Sequence, residues 1–324
     1  MRQISFSEAT LEAMSEEMER DESVFVMGED LARQGGIFGQ FKGLPQKFGI
    51  ERVRDTPISE TAIIGAAVGA ALAGMRPVAD MHFADFIGVA MDEVFNQMAK
   101  VRYMFGAQCK VPLVLRAPDG MIRSAAAQHS QSVEAWFMHI PGIKVVIPSN
   151  PADAKGLLKA AIRSDDPVLY FEHKALFPMK GMVPDGDHLV PIGKANVARA
   201  GKDVTIASYS MMKNRVLEAA DKLMGEGVQA ECIDLRTISP LDKDTVFESV
   251  RKTKRLVIVH EAVNQGGVGA ELSALVAEEM IDWLDAPIKR LGAPFVPIPF
   301  SPALEGLVRI STDDIVKTAK EICR

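Results

Sequence analysis

The chain is poor in cysteine and has no concentrated block of basic residues. Its three cysteines, Cys109, Cys232 and Cys323, are odd in number and far apart. This argues against a disulfide framework and against a cysteine-rich zinc site, and it fits a reducing compartment. Lys and Arg number 37 against 43 Asp and Glu, so the net charge is −6, and neither sign forms a cluster. A nucleic-acid-binding surface is therefore not expected.

Long hydrophobic runs and several common catalytic motifs are also missing. The longest apolar stretch, residues 61–75, is rich in Ala and Gly and is shorter than the ~20 residues that span a bilayer. The N-terminal sequence MRQISFSEATLEAMSEEMERD lacks the apolar core of a signal peptide. The P-loop pattern, G-x-S-x-G and H-E-x-x-H are absent. We therefore expect a cytoplasmic protein with no membrane segment.

Hydrophobic segments alternate with amphipathic ones along the whole chain. Apolar runs predict buried strands at residues 24–30, 76–82, 111–118, 144–150, 167–173, 203–210, 228–238 and 255–262. Helical periodicity predicts helices at 7–20, 60–73, 86–106, 130–142, 151–166, 212–225, 242–251 and 268–283, the first of them capped by Ser7. Strands that alternate with helices are typical of parallel sheets covered on both faces. The expected class is α/β, with two three-layer domains of mostly parallel sheets.

The composition changes between the two predicted halves. Residues 175–200 contain three prolines, three glycines and mixed polar residues, which is typical of a connecting segment. We predict a first domain at residues 1–180, a linker at 181–200 and a second domain at 201–324.

Glu60 begins a predicted helix of small and apolar residues, with Gly65 and Gly69 spaced along it. An acid in the first turn is favoured by the helix dipole, and Ser59 could cap the helix, so one interpretation is purely structural. The other is a carboxyl group whose pKa is raised by apolar surroundings, as proton exchange with a weakly basic ring nitrogen requires. An interface packed along Gly65 and Gly69 would then place the acid in a crevice between two chains.

Two histidine segments and one glycine cluster are further candidates. His129 follows a strand of the predicted parallel sheet and precedes a helix, and α/β sites lie in such loops. His82 and Phe86, four residues apart in DMHFADF, could share one face of a turn. A structural role is the alternative for both histidines. The cluster GGVGAE (266–271) is similar to part of a nucleotide-binding loop, although a turn with close helix packing explains it as well.

Five segments occur in order along the chain: DTPISE, AAAQHSQS, HIPGIKVVIPS, DAKGLL and IDLRTISPLD. Together they resemble the β chain of the thiamine-diphosphate-dependent first component of 2-oxo acid dehydrogenase complexes, including acetoin dehydrogenase. The resemblance covers nearly the whole chain, from GED (28–30) to PFSPALE (299–305). It implies a transketolase-like pyrimidine-binding domain followed by a transketolase C-terminal domain. It also implies an α2β2 heterotetramer with a separate α subunit.

The resemblance implies roles for individual residues as well. Glu60 matches the glutamate that hydrogen-bonds the aminopyrimidine ring of thiamine diphosphate and activates the cofactor. Ile58 and Phe86 match contacts to the same ring, and His82 replaces the Met or Gln of other family members. His129 matches an active-site histidine implicated in proton handling and in acyl transfer to the lipoyl group of an acyltransferase component.

Two metal assignments come from the same resemblance. A structural potassium ion would be held at Leu113, Ala161, Ile162, Ser164 and Asp166, although Ser164 and Asp166 depart from the usual Asp and Asn. The G-D-G motif that binds Mg²⁺ and the diphosphate is missing, since PDGDH (184–188) lacks the final glycine. This implies that the α subunit holds Mg²⁺, and that this chain supplies only the pyrimidine side.

The implied reaction cleaves a carbon–carbon bond next to a carbonyl. It is either the oxidative decarboxylation of pyruvate or the cleavage of acetoin, and the acyl unit passes to lipoamide. A branched-chain 2-oxo acid dehydrogenase β subunit is an alternative. A split transketolase half is another, although no convincing set of basic residues for a sugar phosphate is present. A third alternative is a non-enzymatic α/β scaffold subunit.

Overall fold

A computed structural model describes all 324 residues of the chain. The chain divides into two compact units. The first comprises Met1–Asp119 and Trp136–Ile192, and the second comprises Gly120–Ala135 and Gly193–Arg324. None of the helices is both long and apolar enough to cross a membrane.

The first unit contains a parallel sheet and a separate antiparallel pair of strands. Its strands are β1 (Arg2–Ser5), β2 (Val24–Gly28), β3 (Val53–Asp55), β4 (Arg76–Asp80), β5 (Val114–Asp119), β6 (Lys144–Val146), β7 (Val168–His173) and β8 (Lys180–Val183). Its helices are α1 (Phe6–Arg20), α2 (Leu31–Gln34), α3 (Leu44–Phe48), α4 (Glu60–Leu72), α5 (Ala99–Met104), α6 (Glu134–Met138, which begins in the second unit) and α7 (Pro151–Arg163). Strands β6, β7, β5, β4, β2 and β3 lie side by side in that order, all parallel.

The first helix begins earlier than its periodicity suggests. The prediction that Ser7 caps it is wrong, because Ser5 is the cap and accepts a hydrogen bond from the backbone N–H of Glu8. Glu8 in turn accepts from the N–H of Ser5, which completes a capping box. The preceding strand β1 pairs antiparallel with β8, a contact between residues almost 180 positions apart that no local pattern predicts.

The predicted long helix at 86–106 is helical without a break up to Met104, but it is not a regular α-helix. It consists of a 3₁₀ segment at Ala84–Ala90, a π-helical segment at Glu93–Met98 and then α5. Each irregular segment spans only about two turns, too few for its own period to show in the sequence against the α-helical one.

The second unit has a sheet of the same general kind. Its strands are β9 (Asn196–Arg199), β10 (Val204–Ser208), β11 (Ala230–Asp234), β12 (Thr237–Ser239), β13 (Leu256–Val263) and β14 (Lys289–Ala293). Its helices are α8 (Ser210–Gly225), α9 (Lys243–Thr253), α10 (Val268–Met280), α11 (Pro302–Val308) and α12 (Thr312–Cys323). The order β14, β13, β10, β11, β9 is parallel except for β9, which lies within the segment 181–200 predicted as a linker.

A buried guanidinium joins three neighbouring strands of the first unit. Arg116 on β5 donates to Asp80 of β4 at 2.6 Å and forms an ion pair with Glu172 of β7. All three side chains are almost fully buried, and Arg116 also lies over the ring of Phe41 at 4.8 Å from its centroid. Burial raises the pKa of Asp80 to about 6 and that of Glu172 to about 7, against the opposing charge of Arg116. Removal of Arg116 would leave two buried carboxyl groups without their cation, which typically costs about 3–5 kcal/mol.

The glycine cluster GGVGAE surrounds a buried imidazole in the second unit. A Cβ atom on Gly267, Gly269 or Gly292 would lie 2.8–2.9 Å from ring atoms of His260. His260 Nδ1 is 3.0 Å from the carbonyl oxygen of Ala262, so Nδ1 carries the proton. The other nitrogen, Nε2, is buried without a partner. These glycines therefore make room for His260, which favours close helix packing over phosphate binding.

Burial of His260 makes the stability of the fold depend on pH. It lowers the pKa of His260 to about 4, from an ordinary value of 6.5. Between these values the unfolded chain binds more protons than the folded chain, so the free energy of unfolding falls as the pH falls from 6.5 to 4. The contribution lost is about 3 kcal/mol, and above pH 6.5 this group adds no pH dependence.

We expect His260→Gln to flatten the fall in unfolding free energy between pH 6.5 and 4, as measured by urea titration at each pH. The variant loses the group whose protonation favours the unfolded chain. The exposed His139 is the matched control, and His139→Gln should retain the wild-type profile. An unchanged profile for His260→Gln would contradict the neutral, buried imidazole.

Candidate active site

Glu60 occupies the first position of helix α4 in the first unit and is half-buried. Ser59 precedes it but makes no side-chain capping hydrogen bond, so the prediction that Ser59 caps the helix is wrong. The backbone N–H groups of the first turn therefore lack a side-chain cap, and Glu60 is the acid nearest to that positive end. Ile58, two residues earlier, is 82% exposed. The chain thus presents a carboxyl group beside an uncovered aliphatic side chain.

Helix α4 has an outward face made of small residues. Ala62, Ala66 and Gly69 are exposed, while Ile63 and Ile64 are fully buried beneath them. A Cβ atom on Gly69 would contact nothing within 4 Å. Close packing inside this chain therefore does not explain Gly69. The same test on Gly65 finds only an ordinary contact, with the Glu93 side chain at 3.5 Å. The face is open to a second surface.

His82 forms a bidentate contact with Glu29, a residue that the sequence motifs did not single out. His82 Nε2 is 3.1 Å from the backbone carbonyl oxygen of Glu29, and Nδ1 is 3.1 Å from its carboxyl Oε2. A carbonyl oxygen only accepts, so Nε2 carries a proton. Nδ1 therefore faces the Glu29 carboxyl group. The only sequence feature that marked Glu29 was the GED segment (28–30) at the end of β2. The contact between Glu29 and His82 arises from the fold.

Glu29 and Glu60 lie close enough to interact electrostatically. The pKa of Glu29 is raised, chiefly by burial, and the charges of Glu60 and Asp30 raise it further, whereas His82 lowers it. The segments after β2 and β4 and the start of α4 thus bring Glu29, His82 and Glu60 together. A carboxyl group with a raised pKa beside a histidine, as Glu29 is here, is typical of sites that exchange protons near neutral pH.

Phe86 belongs to an aromatic cluster that follows β4. Its ring is 5.6 Å from that of Phe83 in an edge-to-face arrangement, and Phe83 packs against Phe38 at 5.9 Å in the same manner. The Lys174 ammonium lies 5.2 Å from the centroid of the Phe83 ring. Phe86 is half-buried, so its ring is fixed by neighbours and retains accessible surface for a planar ligand.

The donor set in the first unit fits the aminopyrimidine ring of thiamine diphosphate. Such a ring needs a carboxyl group at a nitrogen and apolar contacts on its faces. Glu60, Ile58 and Phe86 supply these chemical types. Thr56, which precedes α4, has a buried hydroxyl oxygen without a hydrogen-bond partner. This hydroxyl is available to hydrogen-bond a polar atom of a ligand.

Three of the five predicted potassium positions, Ile162, Ser164 and Asp166, are already engaged by side-chain cations. The Arg76 guanidinium donates to the carbonyl oxygens of Ile162 and Ser164 at 3.0 and 3.1 Å. Asp166 forms ion pairs with Arg102 and Lys144. The carbonyls of Leu113 and Ala161 accept backbone hydrogen bonds from Val168 and Ser164. These residues do not fit a potassium ion while Arg76 holds two of the carbonyls, and no step is assigned to such an ion.

The carboxylates of the segment PDGDH (184–188) are engaged in ion pairs. Within PDGDH, Asp187 pairs with Lys159 at 2.6 Å and with Arg163 at 2.7 Å, which explains its carboxylate as part of an ion-pair network. No group of three or more His, Cys, Asp or Glu side chains is arranged to hold a metal ion.

His129 lies in the second unit, within the loop Gly120–Ala135 that follows β5. The side chain is half-buried. Two non-glycine residues of the loop, Ser124 and Ala126, have left-handed backbone conformations with φ of 59° and 61°. Such conformations persist only where surrounding contacts maintain them, and they cluster at functional sites.

Comparison with known proteins identifies both halves of the chain. The family described as "Transketolase, pyrimidine binding domain" matches residues 2–180, and the family "Transketolase, C-terminal domain" matches residues 193–315. A solved structure described as "Split gene transketolase, inactive beta4 tetramer" has a TM-score of 0.81 at 25% identity and covers 99% of this chain and 98% of that chain.

Two curated relatives are similar over their full length. The acetoin:2,6-dichlorophenolindophenol oxidoreductase subunit beta of Cupriavidus necator is 48% identical, over 99% of this chain and 97% of the relative. The 2-oxoisovalerate dehydrogenase subunit beta of Bacillus subtilis is 46% identical, over 99% of each chain. With both domain families matched in order, this chain belongs to the β subunits of the thiamine-diphosphate-dependent acetoin, branched-chain 2-oxo acid and pyruvate dehydrogenases.

Proposed function

We propose that this chain is the β subunit of an α2β2 enzyme that cleaves a carbon–carbon bond next to a carbonyl and passes the acyl unit to lipoamide. The observation that carries the proposal is Glu60, a half-buried acid at the head of a helix whose small-residue face is open. Identity near one half with oxidoreductase and dehydrogenase β subunits supports it. We further propose the domain boundaries 1–180, 181–200 and 201–324, and a cytoplasmic location.

Glu60 would hold a proton at the aminopyrimidine nitrogen of thiamine diphosphate. When bound, the cofactor supplies a carbon nucleophile that attacks the substrate carbonyl and accepts the electron pair of the broken bond. Ile58 and Phe86 would contact the ring, and the His82–Glu29 pair would line its edge. Because Glu29 is buried with a raised pKa, it adds little negative charge beside Glu60 when it is protonated.

His129 would exchange protons with the substrate and assist the transfer to the lipoyl group of an acyltransferase partner. A histidine suits this step because its ordinary pKa lies near neutral pH. Its loop is anchored by contacts within the second unit, which gives the imidazole a defined position.

A separate α subunit would complete the site. It would provide the ligands for Mg²⁺ and the diphosphate, a proposal supported by the lack of a cluster of three or more His, Cys, Asp or Glu side chains in this chain. The small-residue face of α4 would pack against another subunit of the tetramer, so that Glu60 lies at the interface. The similarity to a split-gene transketolase makes a sugar-phosphate reaction the second candidate function. Assays of the reconstituted enzyme with acetoin, pyruvate, 3-methyl-2-oxobutanoate and a ketose phosphate discriminate between the two candidates.

We expect Glu60→Gln to reduce kcat of the reconstituted enzyme by more than about 100-fold. An amide still accepts a hydrogen bond but cannot exchange a proton, and general acid–base groups contribute about that factor. The measurement is lipoamide-dependent turnover at saturating substrate. Glu51→Gln, on an exposed surface acid, is the control and should retain full activity. Near-normal turnover of Glu60→Gln would refute the assigned role.

The split-site arrangement predicts that this chain alone binds thiamine diphosphate weakly. Calorimetric titration in the presence of Mg²⁺ should give an affinity at least about 100-fold lower than that of the reconstituted enzyme, since at least two charge-assisted contacts are missing. Full-strength binding by the isolated chain would show that the diphosphate site lies within it.

Gly69 provides a test of the open helix face. Gly69→Ala should raise the unfolding free energy of the isolated chain by about 1 kcal/mol, because Ala favours a helix and meets no neighbour here. Gly69→Leu should weaken assembly with the α subunit, measured by sedimentation. Gly225→Leu, at an exposed glycine of α8 that also has open space, is the matched control. Unimpaired assembly of Gly69→Leu would place the interface elsewhere.

A further inference from the structure

The loop Gly120–Ala135 needs external support to hold one conformation. It contains few large apolar side chains, and its central run Ala125–Ala127 cannot make side-chain hydrogen bonds. Ser124 and Ala126 have positive φ angles, each of which is unfavourable for a residue with a side chain. A loop of this composition would otherwise sample many conformations.

Two buried carboxylates of the second unit accept hydrogen bonds from the backbone of this loop. Glu261 on β13 accepts from the N–H of Met121 through Oε1 at 2.6 Å, and Glu305 on α11 accepts from the N–H of Ser124 through Oε2 at 2.9 Å. Glu261 is 9% exposed and Glu305 only 2%. Hydrogen bonds from N–H groups to buried carboxylates are among the strong ones in proteins.

A third contact holds the far end of the loop. The hydroxyl of Tyr209 donates to Oε1 of Glu134 at 2.6 Å, and both side chains are buried. Tyr209 in turn stacks on the His260 ring, with centroids 6.3 Å apart. The three attachment points are Met121, Ser124 and Glu134, and His129 lies between the second and the third.

We propose that Glu305 and Glu261 are positioning residues that hold the His129 loop in its working conformation. The proposal rests on the proposed function for the role of His129, whereas the anchoring rests on the contacts alone. The second carboxylate oxygen of Glu305, Oε1, accepts a hydrogen bond from the guanidinium of Arg309, one helical turn later. Glu305 therefore couples helix α11 to a loop 181 positions earlier in the chain.

Hydrogen exchange of the full-length chain tests the anchoring. In Glu305→Ala, the peptide that contains Ser124 should exchange at least about tenfold faster, the factor expected from a lost hydrogen bond to a charged group. Glu305→Gln retains an acceptor oxygen, and its exchange should stay within about threefold of wild type. Arg309→Ala removes the ion pair but leaves the Ser124 contact, and it should also stay within about threefold. Glu261→Ala and Glu261→Gln should show the same contrast at Met121.

Trypsin gives an independent readout at the same bond. Arg123 is exposed, and the peptide bond that follows it carries the N–H held by Glu305. Cleavage after Arg123 should accelerate in Glu305→Ala and not in Glu305→Gln. Equal exchange and cleavage in wild type and Glu305→Ala would overturn the anchoring, as would Arg309→Ala reproducing the full effect.

Turnover then tests the positioning role. In the enzyme reconstituted with its α subunit, Glu305→Ala should lower kcat for transfer to lipoamide about tenfold or more with little change in KM, and Glu305→Gln should restore it. Faster exchange with unchanged kcat would overturn the positioning role. Inactivity of the wild-type enzyme towards every substrate would refute the proposed function instead, and the exchange results would still decide the anchoring.

Discussion

The buried guanidinium of Arg116 is the constraint on which the first unit depends. It pairs with Asp80 and Glu172, so that one cation ties together strands β4, β5 and β7 inside the sheet. The segments that carry His82 and His129 leave the carboxyl ends of β4 and β5. Any slip between these strands would separate the buried charges, and that cost keeps the strand ends in register. The elevated pKa values of both carboxyl groups show that the triad is held at an electrostatic cost which the surrounding core offsets.

Helix α4 has one covered face and one open face. The inner face of α4 is buried against the sheet, while its outer face of alanine and glycine has no neighbour at Gly69. Glu60 sits at the start of that helix beside Ile58, a large aliphatic side chain left uncovered. A helix face made of such small residues lets another backbone approach closely. A carboxyl group at its edge would lose further solvent on such an approach, which is why the proposed role of Glu60 depends on a second surface.

The loop Gly120–Ala135, which carries His129, depends on contacts with distant parts of the chain. Its conformation is maintained by Glu261 and Glu305, which lie on a strand and a helix far along the chain. Buried carboxylates are costly unless they are hydrogen-bonded, and here the backbone of the loop satisfies them. The loop and its anchors therefore stabilise each other. In the same unit, the buried His260 stacks on Tyr209. Because burial lowers the pKa of His260, the stability of this unit depends on pH.

Periodicity and composition by themselves determined the α/β class and most helices and central strands, because these depend on local hydrophobic patterning. The family came from the resemblance of short segments such as DTPISE to a known family. The sequence also singled out Glu60, Phe86 and His129, whose roles stay predictions. Only the tertiary structure decided that Glu29 pairs with His82, that Arg76 takes the carbonyls assigned to potassium, and that Glu305 reaches Ser124. Each of these contacts joins residues at least 50 positions apart, and burial sets its strength. No pattern within a short window encodes which distant side chains the packed core brings together.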